Sequence, residues 1–216
     1  MTPDVVVVVP MLGRPWTVDP LAESLAASTD RARLLFVVSD RDDDVLYATD
    51  DRARIVVPTC GRGDYARKIN TAIRATDEPL IFTGACDLHF HAGWVEACER
   101  RIDEGAQVVG TNDRCNPRTA TGALSTHTMM TRAYAELPCI DGSPGPLFEG
   151  YWHEMVDDEL VGTAKARGVY AHAPDAIVEH LHPSAGKAEW DDSYRGQQER
   201  MAATRPLFRR RRRLWT

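Results

Sequence analysis

The sequence predicts an α/β protein, a single domain built on a mainly parallel central sheet. Three observations predict it. Residues 4–10 hold the unbroken run Val5-Val6-Val7-Val8-Val9, and continuous β-branched runs belong to strands buried on both faces of a sheet. Strand-like and helix-like stretches then alternate along the chain, the order that βαβ units produce. Apolar stretches also stop abruptly at acids, with Asp40 after Ser39 and Asp87 after Cys86. Open α/β sheets collect ligands at such carboxyl strand ends.

Each element follows from local chemistry. Residues 11–15 carry Gly13 and Pro15 and read as a loop. Residues 19–28 fit a helix with Asp19 as cap and Pro20 at its first position. Residues 33–39 are a second strand, 40–44 an acidic turn and 54–58 a third strand. A turn at 61–63 opens a helix over 64–75. Residues 79–83 are a fourth strand, running into Gly84-Ala85-Cys86-Asp87. A helix at 93–104, a strand at 107–110, a polar loop at 111–125, a strand at 126–130 and a short helix at 132–136 follow. The Pro/Gly stretch 142–150 is a loop, and 156–167 is a helix stopped by Gly168. Strand signals return at 169–174 and 176–181. Beyond Pro183 the chain is polar and helical, which divides it into a domain at 1–183 and an arginine-rich tail at 184–216, packed on the domain or extending from it.

The 216 residues suffice for a sizeable core. No apolar run approaches the roughly 20 residues that span a bilayer. No basic leader precedes the first strand, and the five cysteines are odd in number with no CxxC pair. A disulfide framework and a cysteine zinc site are therefore not expected, and a cytoplasmic location is. The net charge of −6 is unevenly spread, with eight arginines from Arg195 onward against one acid, Glu199. Such a tail suits phosphate, or is a solvated end.

Four groups of residues could carry chemistry. Asp87 ends an apolar strand and His89 follows two residues later. A carboxylate there can hold a hard divalent cation and leave positions open for phosphate, or simply cap a turn. His180 and His182 share one face of an extended segment and suit Mn or Zn, or are hydrogen-bonded histidines at a strand end. Asp157-Asp158-Glu159 opens a helix, where acids favour the dipole. Three in a row exceed what capping needs, and one fits a general base. Arg67 and Asn70 share a helix face, suited to phosphate and ribose or to solvent. A competing pattern, Gly61-Arg62-Gly63-Asp64-Tyr65-Ala66, has the outline of a dinucleotide fingerprint but follows the third strand rather than the first.

Taken in order, these pieces resemble family 2 of the GT-A glycosyltransferases over roughly residues 4–183. Residues 5–14 are similar to that family's first strand and loop, Val37-Val38-Ser39-Asp40 to its second strand, and residues 67–72 to its Lys-x-x-x-Asn-x-Gly helix. Residues 81–87 resemble the strand ending in Asp-x-Asp, with Ala85 in place of the first Asp. Asp157-Asp158-Glu159-Leu160, Gly168, and Pro174-Asp175-Ala176-Ile177-Val178-Glu179-His180 resemble its closing pattern, with Val156 where the family has Glu. Gly84-Ala85-Cys86-Asp87, Phe90-His91-Ala92-Gly93-Trp94 and Gly110-Thr111-Asn112-Asp113 are further similar to compact bacteriophage glycosyltransferases, which would place the chain in a host cytoplasm. The resemblance implies a GT-A fold and an inverting transfer from a nucleoside-diphosphate sugar, UDP-linked. It implies Mn2+ or Mg2+ on Asp87 and His180, joined by His89 or His182, and Asp157 or Asp158 as base. Pro10, Leu12, Arg14, Ser39, Asp40, Arg67, Asn70, Cys86 and Asp87 would meet the donor. Residues 142–152 would form an acceptor wall. The acceptor is a hydroxymethylated DNA base, a protein or a glycan. For DNA, residues 209–213 would supply phosphate contacts and Trp215 a stacking ring. A non-catalytic nucleotide-binding module and a metal-dependent hydrolase are the alternatives.

Overall fold

The computed structural model describes residues 3–216. Val5–Pro10 form β1, pairing in parallel with β2 (Ala32–Ser39) on one side and β4 (Leu80–Thr83) on the other. β2 pairs in parallel with β3 (Arg54–Val57). The valine run is buried throughout because the sheet is covered twice. Val5, Val7 and Val9 join a core under α1 (Val18–Ser28) and α4 (Trp94–Asp103), while Val6 and Val8 join another under α3 (Asp64–Arg74).

The sheet has eight strands in the order β3-β2-β1-β4-β7-β6-β8-β5 and is mostly parallel, as expected, but mixed, because β7 and β5 run against the other six. β7 (Thr128–Thr131) lies antiparallel to both β4 and β6 (Val108–Asn112). β6 runs parallel to β8 (Tyr170–His180), and β5 (Leu88–Phe90) closes the edge antiparallel to β8. The two strand signals at 169–174 and 176–181 are thus one strand. Gly110 pairs with His172 and Asn112 with Ile177, so extra residues of β8 bulge out and Pro174 needs no ladder partner.

The acidic turn at 40–44 leads into a short helix, α2 (Asp43–Ala48), and single helical turns stand at α5 (Pro117–Ala120) and α6 (Arg132–Ala135). α7 (Val156–Ala166) covers the second core, and Gly168 ends it in the left-handed region at φ +70°. The tail forms α8 (Asp192–Arg195) and α9 (Gln197–Arg212). Leu207 and Phe208 of α9 pack into the second core, so this helix lies on the domain.

Candidate active site

The carboxyl ends of β1 and β4, the start of α7 and one face of α9 enclose a cavity of about 1120 Å³. Its first wall is the loop after β1. Gly13 and Arg14 are both left-handed, at φ +63° and +60°. For an arginine that conformation costs about 1–2 kcal/mol, and two contacts hold it. The Gly13 N–H donates to Asp42 Oδ2 at 2.7 Å. The Arg14 guanidinium grips Asp191 through Nε and Nη2 at 2.6 and 2.9 Å, reaches Asp87 Oδ2 through Nη1 at 3.2 Å, and stacks 3.8 Å from the Tyr194 ring centre.

β4 aims Asp87 into this cavity. Its Oδ2 also meets His180 Nε2 at 3.2 Å and accepts from the Tyr194 hydroxyl. Burial would raise the pKa of Asp87, but His180, Tyr194 and Arg14 together outweigh it and hold the carboxyl well below the usual range. Burial likewise opposes charge on His180, and Asp87 reverses this and raises its pKa.

The third wall is the first turn of α7. Met155, just before it, is left-handed at φ +72°. A bulky residue held there marks an imposed geometry, and it sets the direction in which the next acids leave the helix. Asp158 pairs with Arg118 at 2.8 Å. Asp157 has no ion-pair partner among the described residues. Burial, and then the neighbouring Asp158 charge, push the Asp157 pKa up to about 7.

No family model matches the chain, and no curated protein matches it in sequence. Solved structures do match its shape. A mannosyltransferase from Pyrobaculum calidifontis, in complex with GDP-Man and Mn2+, superposes with a TM-score of 0.64 at 17% identity over 94% of this chain. The chain spans 62% of that protein's length. Glucosyl-3-phosphoglycerate synthase from Mycobacterium tuberculosis, in complex with Mn2+, UDP-glucose and phosphoglyceric acid, gives 0.55 at 17% identity over 92% of this chain and 76% of its own. Mannosyl-3-phosphoglycerate synthase from Rubrobacter xylanophilus gives 0.61 at 15% identity over 97% and 74%.

The chain has the GT-A fold.

On this GT-A frame the sequence-predicted residues separate into two sets. Pro10, Leu12, Arg14, Cys86, Asp87, Asp157, Asp158, His180 and His182 line the cavity. Five others do not. His89 lies between the buried Leu88 and Phe90 on β5, so strand alternation turns it outward to meet His91 at 5.0 Å between ring centres. Ser39 is buried at the end of β2, and exposed Asp40 binds the N–H and hydroxyl of Thr59, both at 2.8 Å. Arg67 folds back on the Pro58 carbonyl at 2.6 Å. Asn70 spends both amide atoms on the 142–150 loop, donating to Leu147 O at 2.8 Å and accepting from its N–H at 3.3 Å.

The glycine turn is not a dinucleotide site. Gly63 (φ +79°) lies against the Glu149 carbonyl, where a Cβ would come within 2.1 Å. At the start of α3, Asp64 pairs with buried Lys68 at 2.7 Å. An acid fills the place that a pyrophosphate would take. A metal-dependent hydrolase using Asp87, His89, His180 and His182 would lose His89, which strand alternation turns away from the cavity.

Several cavity residues had no motif to announce them. His127 stands beside His180 at 5.4 Å between ring centres, with Nδ1 donating to the Thr83 carbonyl at 2.9 Å. Burial and His180 push its pKa down to about 4, so it is neutral. Tyr194 comes from the tail, as does Asp191, which holds Arg14 from outside the cavity lining. Asp87 and His180 fit as two neighbouring ligands of one Mn2+ or Mg2+, since their facing atoms are 3.2 Å apart. Among the described residues no cluster of three or more His, Cys, Asp or Glu side chains could hold an ion. His182 turns Nδ1 to the Ser184 hydroxyl at 2.7 Å.

Proposed function

We propose that this protein is a metal-dependent, inverting glycosyltransferase that moves a sugar from a nucleoside-diphosphate donor to an acceptor hydroxyl. The observation that carries this reading is the meeting, in one cavity of a GT-A fold, of the Asp87–His180 pair with an unpaired carboxylate, Asp157, poised near neutrality. The mannosyltransferase and the two synthases named above support the donor class, since two were captured with GDP-Man or UDP-glucose and Mn2+.

In this reading Arg14 takes the diphosphate in the bidentate manner in which it now takes Asp191. Asp87 and His180 would hold Mn2+ or Mg2+, which when bound supplies Lewis-acid neutralisation of the leaving diphosphate. With only two protein ligands, the remaining positions on such an ion would be left to phosphate oxygens and water. Asp157 takes the proton of the acceptor hydroxyl as its oxygen bonds to the anomeric carbon. The bond from that carbon to the diphosphate breaks in the same displacement, and the configuration inverts. Asp158 is the weaker candidate for base because its carboxylate is already engaged by Arg118. Donor binding requires Asp191 and Tyr194 to release Arg14 and Asp87.

The test is a panel of UDP- and GDP-sugars with Mn2+, read by thermal stabilisation and by release of nucleoside diphosphate. Stabilisation by at least one donor, lost in Asp87→Ala, is expected. A full panel without stabilisation or turnover would sink the assignment. The tail gives little support to a DNA acceptor, because Arg211 is buried in an ion pair and Trp215 packs on Phe208 and against Gly162.

A further inference from the structure

The cavity's charges are unevenly matched. Arg14 is paired with Asp87 and Asp191, Arg118 with Asp158, and Arg200 with Glu154 at 2.8 Å. Asp157 is left as a carboxylate without an ion-pair partner, and three cations on the same cavity meet no acid among the described residues. Lys165 donates to the neutral carbonyls of Gly122 and Ala123 at 2.9 and 3.0 Å. Arg205 and Arg212 line the cavity from α9 and meet no acid. Their spacing puts them two turns apart on one helix face, about 10 Å along the axis.

Lys165 lies on α7, eight residues beyond Asp157 and so about 12 Å along the same helix. Burial first, and then the charge of Arg118, disfavour its protonated form, while Asp158 partly opposes them. Between the cations lies an aromatic floor. Trp215 rests directly on α7 because residue 162 is glycine, and a Cβ there would come within 2.2 Å of the indole Nε1. Phe208 packs beside it at 5.9 Å between ring centres. A glycine inside a helix costs about 1 kcal/mol relative to alanine, and here it admits the ring. The arginine run is thereby sorted into three fates. Arg211 is buried, Arg212 faces the cavity, and Arg209, Arg210 and Arg213 face solvent away from it.

We propose that the wall between α7 and α9 is the acceptor subsite, and that it takes a small hydroxylated acceptor bearing a phosphate or carboxylate. The anionic group is held by Lys165, Arg205 and Arg212, the body lies on Phe208 and Trp215, and the reacting hydroxyl reaches Asp157. This rests on the glycosyltransferase reading for the role of Asp157, but the anion site stands on charge and geometry alone. A small acceptor is favoured over nucleic acid because Asp157 and the three cations line one cavity, whereas a duplex would use the arginines that lie off it.

The experiment titrates glycerol 3-phosphate, glucose 6-phosphate and glycerate, with uncharged glycerol and glucose as controls, into the full chain saturated with UDP and Mn2+. At least one anionic compound should bind saturably and the uncharged ones should not. The Arg205→Gln/Arg212→Gln variant should lose about tenfold or more of that affinity, as loss of charge-assisted hydrogen bonds does. Its affinity for UDP and Mn2+ should stay within about twofold, because neither arginine touches the donor groups. Equal binding by the variant, or no saturable anion binding by the unaltered chain, overturns the subsite. So does hydroxymethylated duplex binding that depends on Arg209, Arg210 and Arg213 but not on Arg205 or Arg212. Failure of UDP and Mn2+ to bind, with anion binding intact, would strike the donor reading and leave the anion site standing.

Discussion

At the scale of single residues, Asp157 carries the sharpest expectations. Its pKa is lifted from 3.8 to about 7 by burial and by Asp158. A carboxyl raised in the folded state favours the protonated form, so its contribution to stability is full below about pH 4 and is lost as pH rises through about 7. Each unit of that rise corresponds to about 1.4 kcal/mol. Asp157→Asn should therefore unfold at a higher temperature than the unaltered protein at pH 8, and the two should converge near pH 4. On the proposed transferase reading the same variant should bind UDP and Mn2+ but lose transfer, and kcat/KM of the unaltered protein should climb with a midpoint near pH 7. Retained turnover in Asp157→Asn, with loss in Asp158→Asn, would move the base by one residue. The metal pair gives a second expectation. With two protein ligands, Mn2+ binding should strengthen when UDP is added, and UDP binding should strengthen reciprocally when Mn2+ is added. Calorimetry in both orders checks this, and tight Mn2+ binding without nucleotide would contradict it. The cavity positions of Asp87, Asp157 and His180 were legible in sequence because each lies at or beside the terminus of a regular element. His89 lies off the cavity because it sits on the three-residue strand β5, too short to show alternation in sequence, whose buried neighbours turn it outward. Asp191, Tyr194 and His127 carried no pattern, since only tertiary packing brings them to Asp87 and His180.

At the scale of elements, the alternation that identified most helices and strands also hid two features. The antiparallel β7 looks like any other apolar stretch, because periodicity carries no direction. The bulged β8 was divided at Pro174, although the strand continues around it. Helix α9 divides the charged run, which left a phosphate-binding and a solvated end open: four of its five arginines are exposed and one is buried. Arg211 is buried against Glu159, with nitrogen–oxygen distances of 2.6 and 2.9 Å, and also pairs with Asp141. The Arg211 guanidinium lies 3.3 Å from the Phe148 ring centre, and Tyr151 donates to Glu159 at 2.6 Å. Arg211→Met should cost about 3–5 kcal/mol in denaturant unfolding, because it leaves Glu159 buried without a cation. Adding Glu159→Leu should recover much of that loss. A cost below about 1 kcal/mol, the range of exposed pairs, would show the pair to be dispensable. Deleting residues 206–216 should therefore destabilise the fold as well as remove surface charge.

At the scale of the whole molecule, the tail and the domain form one functional body, with α9 anchored by Arg211 and the segment before it lying across the donor centre. Asp191 holds Arg14 in the two-point geometry that a phosphate would use, and Tyr194 bonds Asp87 at the oxygen facing His180. On the proposed reading this arrangement covers the donor groups, and donor affinity would include the work of displacing the segment. Weakening it should tighten binding in proportion to the fraction of molecules it leaves open. Asp191→Ala should bind UDP with Mn2+ about three- to tenfold more tightly than the unaltered chain, whereas Arg14→Ala should bind it more weakly. Trp190 reports the motion, since it adjoins Asp191 and lies 6.2 Å from both the Tyr194 and His182 rings between centres. Its fluorescence should change on addition of UDP and Mn2+ together, measured against a Trp190→Phe control. Weaker nucleotide binding in Asp191→Ala would instead make Asp191 part of the donor site, and the segment would then be a wall of that site rather than a cover over it.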